Sequence, residues 1–130
     1  MKTNVKIKTS EILVRARELI DRPEKWTKII FARNENDCER SVESRQATKY
    51  CAVGSCRRAY YEATGDARYS SRAQKELRDA MDSVIPPKPG EFYRSVSGFN
   101  DRVETQHGDV MRLFDEAIRV AKTKEETRNG

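Results

Sequence analysis

The chain has 130 residues, enough for one compact domain that folds around its own core without disulfides or a metal. Hydrophobic and charged residues each make up 36% of it and the mean hydropathy is −0.89, so the core must consist of narrow apolar stripes on solvated helices. No apolar run approaches the ~20 residues of a membrane span, and the net charge of +5 gathers between residues 40 and 78, where nine basic residues stand against four acidic ones.

In chain order, Thr9 or Ser10 can cap a first helix, with Glu11 in its first turn and Ile12, Leu13, Ala16, Leu19 and Ile20 at helical spacing. Pro23 ends it, and Trp26 anchors the corner that follows. Residues 27–32, "TKIIFA", read as a strand or an extended connector, and 33–45 as a loop of turn formers. A second helix is expected from Ala47 to Gly65, whose glycine suits a C-terminal cap. Ser70 or Ser71 opens a third, with Ala73, Leu77, Ala80, Met81 and Val84 on one face, and "PPKPG" at 86–90 ends it. Residues 92–99 read as extended, followed by a turn at Asn100–Asp101. Thr105 is expected to cap the last helix, whose stripe runs Val110, Leu113, Phe114, Ala117, Ile118, Ala121. The expected architecture is mainly α: a single compact domain of about four helices over 1–121, with one or two short extended segments and a frayed tail over 122–130.

Three constellations could carry chemistry. Cys51 could act as a nucleophile with His107, the single histidine, as base and Asn100 or Asp101 to orient it. Against that, Cys51 is expected inside a helix with no glycine-rich turn beside it. The same stretch also forms a seam of small residues, Ala47, Cys51, Gly54, Ser55 and Ala59. Gly54 costs a helix roughly 1 kcal/mol relative to alanine, which makes sense if another backbone or a bulky side chain crosses there. The second constellation is basic and aromatic: Arg45, Lys49, Arg57, Arg58, Tyr60, Tyr61, Arg68, Tyr69 and Arg72. Arginines on phosphates and tyrosines under bases would suit single-stranded nucleic acid, although a solvated face with half-buried tyrosines has the same composition. The third, metal binding, finds no support. The cysteines (Cys38, Cys51, Cys56) form no CxxC pair, and a lone histidine with scattered acids lacks ligand spacing.

The segments "ARELIDRPEKWTKIIFAR" at 16–33, "ATKYCAVGSCRRAY" at 47–60, "FND" at 99–101 and "DVMRLFDEAI" at 109–118 together resemble a family of small, uncharacterised bacterial and phage proteins, a domain of unknown function. Its pattern runs PxxWT, then aromatic-Cys-x-x-Gly, then aromatic-Asn-Asp leading into the last helix. By that resemblance Trp26, Thr27, Cys51, Gly54, Asn100, Asp101, Ala117 and Ile118 stand at recurring positions. Tyr50 stands where tryptophan is usual, Ser55–Cys56 replace an Ala–Leu-like pair, and His107 matches no fixed position. The resemblance implies a fold and no activity.

The expected function is a non-enzymatic accessory module that binds a macromolecular partner, a protein in the first instance, and is phage- or mobile-element-encoded. The alternatives are nucleic-acid binding through Arg45, Lys49, Arg57, Arg58, Tyr61, Arg68 and Arg72, and a thiol enzyme using Cys51. No cofactor and no membrane association are expected. The basic N-terminus lacks the apolar core of a secretory signal, which points to the cytoplasm.

Overall fold

A computed structural model describes residues 7–67, 71–86, 89–90 and 94–129. Helices α1 (Thr9–Leu19), α2 (Ala52–Thr64), α3 (Ser71–Val84) and α5 (His107–Asn129) form the body of a small, mainly α domain. A short helix α4 (Val96–Asp101) and an antiparallel ladder of β1 (Ala32–Arg33) with β2 (Lys49–Tyr50) complete it. Helix α1 packs on both α2 and α5, and α3 packs along α5.

The stripes read from the sequence supply the core. Leu13, Ala16 and Ile20 meet Cys56 and Ala59 of α2, Leu77 and Met81 of α3, and Leu113, Phe114 and Ala117 of α5, all sealed from solvent. Each large side chain buried in this way contributes about 1.5–3 kcal/mol. Around the core, Arg15 pairs with Glu62 and Arg17 with Asp115, both at 2.7 Å, tying α1 to α2 and to α5. Such exposed pairs are each worth under about 1 kcal/mol.

Several local expectations give way to tertiary bonds. The side chain of neither Thr9 nor Ser10 caps α1: Glu11 Oε1 accepts the Lys8 N–H at 3.0 Å. Ser10 instead reaches across to α5, its N–H and hydroxyl donating to the Glu125 carboxylate at 3.1 and 2.5 Å. That contact, with Lys124 on Glu76 at 2.9 Å, lies in the stretch expected to fray, where α5 remains helical to Asn129. Thr105 does not cap α5 either. Its hydroxyl donates to the Phe99 carbonyl at 2.7 Å, and Asp109 Oδ2 accepts the Gln106 N–H at 2.9 Å.

The second helix begins later than its small-residue spacing suggested. Lys49 and Tyr50 pair with Arg33 and Ala32, and Cys51 N–H donates to the Phe31 carbonyl at 3.1 Å, so the chain stays extended to Cys51. The stretch 92–99, expected to be extended, is helical from Val96, because Ser95 Oγ accepts the Gly98 N–H at 2.9 Å and Val96 and Phe99 face the core. Residues 92 and 93 lie outside the described residues. Only Ala32 of the "TKIIFA" run joins a strand, while Gly65 caps α2 in the left-handed region at φ 80°, as its type predicts.

The close approach at Gly54 is made by backbone. A Cβ there would stand 2.0 Å from the Phe31 carbonyl oxygen and 2.8 Å from its carbon. Gly54→Ala is therefore expected to lower stability by about 3 kcal/mol, read as a fall in the urea midpoint. Gly108→Ala, where an added methyl meets nothing within 4 Å, should be neutral or slightly stabilising.

Candidate functional site

Three segments singled out in the sequence converge on one buried amide. Asn100, with no exposed surface, lies in the last turn of α4. Its Oδ1 accepts the Trp26 indole N–H at 2.7 Å and the Ala52 backbone N–H at 3.0 Å, the latter being an orphan donor of the first turn of α2. Its Nδ2 donates to the Thr27 carbonyl at 3.1 Å and to Asp101 Oδ1 at 2.9 Å. Two acceptances and two donations use the whole capacity of an amide. The expected turn at Asn100–Asp101 is thus a buried knot at a helix end. Asp101 Oδ1 also accepts the Ile29 N–H at 2.8 Å, and Lys28 Nζ donates to the Arg102 carbonyl.

Cys51 lies against this knot as the N-cap of α2, its Sγ accepting the Gly54 N–H at 3.2 Å. Burial pushes its thiol up to about 11, the nearby Asp101 charge adding to the effect. Roughly one thiol in ten thousand is then ionised at pH 7. Cys56, wholly buried, is pushed higher still by desolvation. His107 Nε2 lies 2.6 Å from the Ile20 carbonyl, which as an acceptor places the proton on that nitrogen, and its ring stands 6.0 Å from Trp26. Cys51 and His107 share no hydrogen bond among the described residues. Asn100 and Asp101 are brought to Cys51, but they orient backbone and Trp26 rather than the imidazole. No group of three or more His, Cys, Asp or Glu side chains suited to a metal occurs among the described residues.

The basic and aromatic residues are placed unevenly. Arg58 turns its Nη1 to the Val42 and Ser44 carbonyls, both at 3.0 Å, and its Nε to Glu62 at 3.2 Å, so it fastens the preceding loop to α2. It also lies over Tyr61, 5.8 Å from the ring centroid. Lys49 pairs with Asp37 at 2.5 Å. Arg45 and Arg72 are exposed, Tyr60 and Tyr61 half-buried, and Arg68 and Tyr69 lie outside the described residues. Arg57 stacks on Phe31 at 4.7 Å. Both line an open groove of about 650 Å³ with Arg40, Val42 and Ala67.

The exposed apolar side chains carry no signature in the sequence that separates them from buried ones. Among the described residues the large ones are Ile29 at 72%, Phe31 at 43% and Val103 at 98%. They come from two segments that are bonded to each other at adjacent residues, Ile29 to Asp101 and Lys28 to Arg102. An aromatic in a β-branched run was visible in the sequence, but its exposure was not.

Asn100→Ala leaves the Trp26 and Ala52 donors without their acceptor, at about 1–3 kcal/mol for each buried group, so a total loss of about 3–5 kcal/mol is expected in chemical denaturation. In the folded chain at pH 8, Cys38, which is exposed, should react with a thiol reagent in seconds to minutes. Cys51 and Cys56 should react only after denaturant is added, and rapid labelling of more than one thiol would contradict the burial of this corner.

No curated protein and no solved structure matches the sequence. A family of unknown function (DUF6197) matches residues 5–120, nearly the whole chain. The protein therefore belongs to that family.

Proposed function

We propose that the protein is a non-enzymatic module that binds a protein partner through the surface formed by Ile29, Phe31 and Val103. The observation that carries this reading is their grouping. A soluble surface scatters single apolar residues freely, whereas here every large exposed one among the described residues belongs to two mutually bonded segments. Of the three, Phe31 also lines the groove that holds Arg40 and Arg57, and an apolar centre with a polar rim is the anatomy of an interface. The protonated state of Cys51 and the commitment of His107 to Ile20 favour binding over thiol chemistry. Three free thiols, two of them buried, favour a reducing compartment such as the cytoplasm.

A single-stranded nucleic acid is the alternative occupant, favoured by the exposure of Arg45 and Arg72. Arg58 and Lys49, which would strengthen it, are drawn into internal bonds instead.

The test compares immobilised wild-type chain with Ile29→Asp and Phe31→Ser in capturing proteins from a lysate of the native host, after circular dichroism shows the fold kept. A protein retained by the wild type and weakened at least tenfold by both substitutions is the expected result. Retention that ignores both substitutions overturns the reading. Oligonucleotide binding that falls steeply with salt and weakens in Arg45→Ala/Arg72→Ala would replace the protein partner with nucleic acid.

A further inference from the structure

Ile29 has φ 81°, in the left-handed region that glycine and asparagine tolerate and a β-branched residue avoids. Such a residue persists only where its surroundings over-determine it, and the bonds around Ile29 do so. Its own N–H is held by Asp101 Oδ1 at 2.8 Å, Thr27 O by Asn100 Nδ2 at 3.1 Å, and Lys28 Nζ by the Arg102 carbonyl. From the other side, Arg33 donates through Nε to Thr27 Oγ1 at 2.7 Å and through Nη2 to Lys28 O at 3.2 Å. Yet the side chain held at this cost packs on little, since it is 72% exposed. Core packing does not explain an isoleucine here.

We infer that Asp101 is a latch that holds residues 27–31 in a strained conformation whose purpose is to present the Ile29 side chain outward. The inference rests on the proposed partner surface for its purpose, but the latch and the strain are tested without any partner. When the latch is released, Ile29 returns to ordinary extended backbone, and its outward projection is lost. Asp101 is a positioning residue: it acts on the surface through the Ile29 amide and lies behind it. Asn100 fixes the carboxylate through the 2.9 Å bond from Nδ2 to Asp101 Oδ1, so the latch is built onto the buried knot.

The experiment measures amide hydrogen exchange at Ile29 and thermal stability in the full-length chain. In the wild type the Ile29 amide should be protected. Asp101→Ala should lower that protection at least tenfold, while Asp101→Asn, which keeps an acceptor, should restore part of it. Should Asp101→Ala fail to fold, Asp101→Asn together with the Ile29 variants carries the test. Ile29→Asn and Ile29→Gly relieve the backbone, so the melting temperature should rise by about 2–5 °C in the former and less in the latter, because glycine also loosens the unfolded chain. An Ile29 amide whose exchange ignores Asp101→Ala overturns the latch, and so does a melting temperature that rises in neither Ile29 variant. If exchange and melting behave as expected but Ile29→Asn still captures the wild-type partner in full, the latch stands and the partner surface falls.

Discussion

The four hydrogen bonds of the Asn100 side chain are the constraint on which this corner of the molecule depends. A buried amide is expensive to leave unsatisfied, and the residues that satisfy it come from three distant parts of the chain: Trp26 and Thr27, Ala52, and the neighbouring Asp101. Fixing them together fixes where α2 starts and how residues 26–31 cross it. The crossing is close enough that position 54 must be glycine, because the Phe31 carbonyl occupies the space of a Cβ. An aspartate at position 100 would lack the two donors, and an aliphatic residue would lack all four groups.

Elsewhere, stability is distributed in the ordinary way. The sealed apolar positions of α1, α2, α3 and α5 carry most of it, and the numerous surface ion pairs add little individually. Arg58 is an exception among the charged residues. With its side chain 20% exposed and its donors on two loop carbonyls and Glu62, it clamps the loop that carries the buried Val42 onto α2. The same commitment reduces its value as a free contact for an anionic ligand. Donors held on internal carbonyls and Glu62 are not offered to a phosphate.

The chemistry of the corner follows from its dryness. Burial keeps the Cys51 thiol protonated and turns its sulfur into a helix cap, which is the opposite of the electropositive, accessible setting a nucleophilic cysteine needs. What the corner offers solvent is apolar side chains on a backbone shaped from beneath. The cost of the left-handed Ile29, about 1–3 kcal/mol for such a conformation, is a substantial fraction of the stability of a small domain. It is carried by hydrogen bonds from α4 and Arg33, so local strain and the buried knot form one mechanical unit.

Helical periodicity, Pro23 and Gly65 were sufficient to read the four long helices and most of the core from the amino-acid sequence, because those signals are local and the apolar stripes have one way to be buried. The small-residue pattern around Gly54 also announced a close crossing. Nothing local could show that the crossing partner was the Phe31 backbone, that Lys49 and Tyr50 would pair with Ala32 and Arg33 rather than begin a helix, or that "FND" would be a buried knot rather than a turn. The sequence by itself determined the helical class, the stripes and the glycine cap. Only the tertiary structure decided the start of α2, the state of Cys51 and the outward Ile29. The helix start and Ile29 depend on hydrogen bonds between residues far apart in the chain, up to 74 positions in this corner, and the state of Cys51 on burial by such distant segments, so no window of neighbouring residues contains their energy.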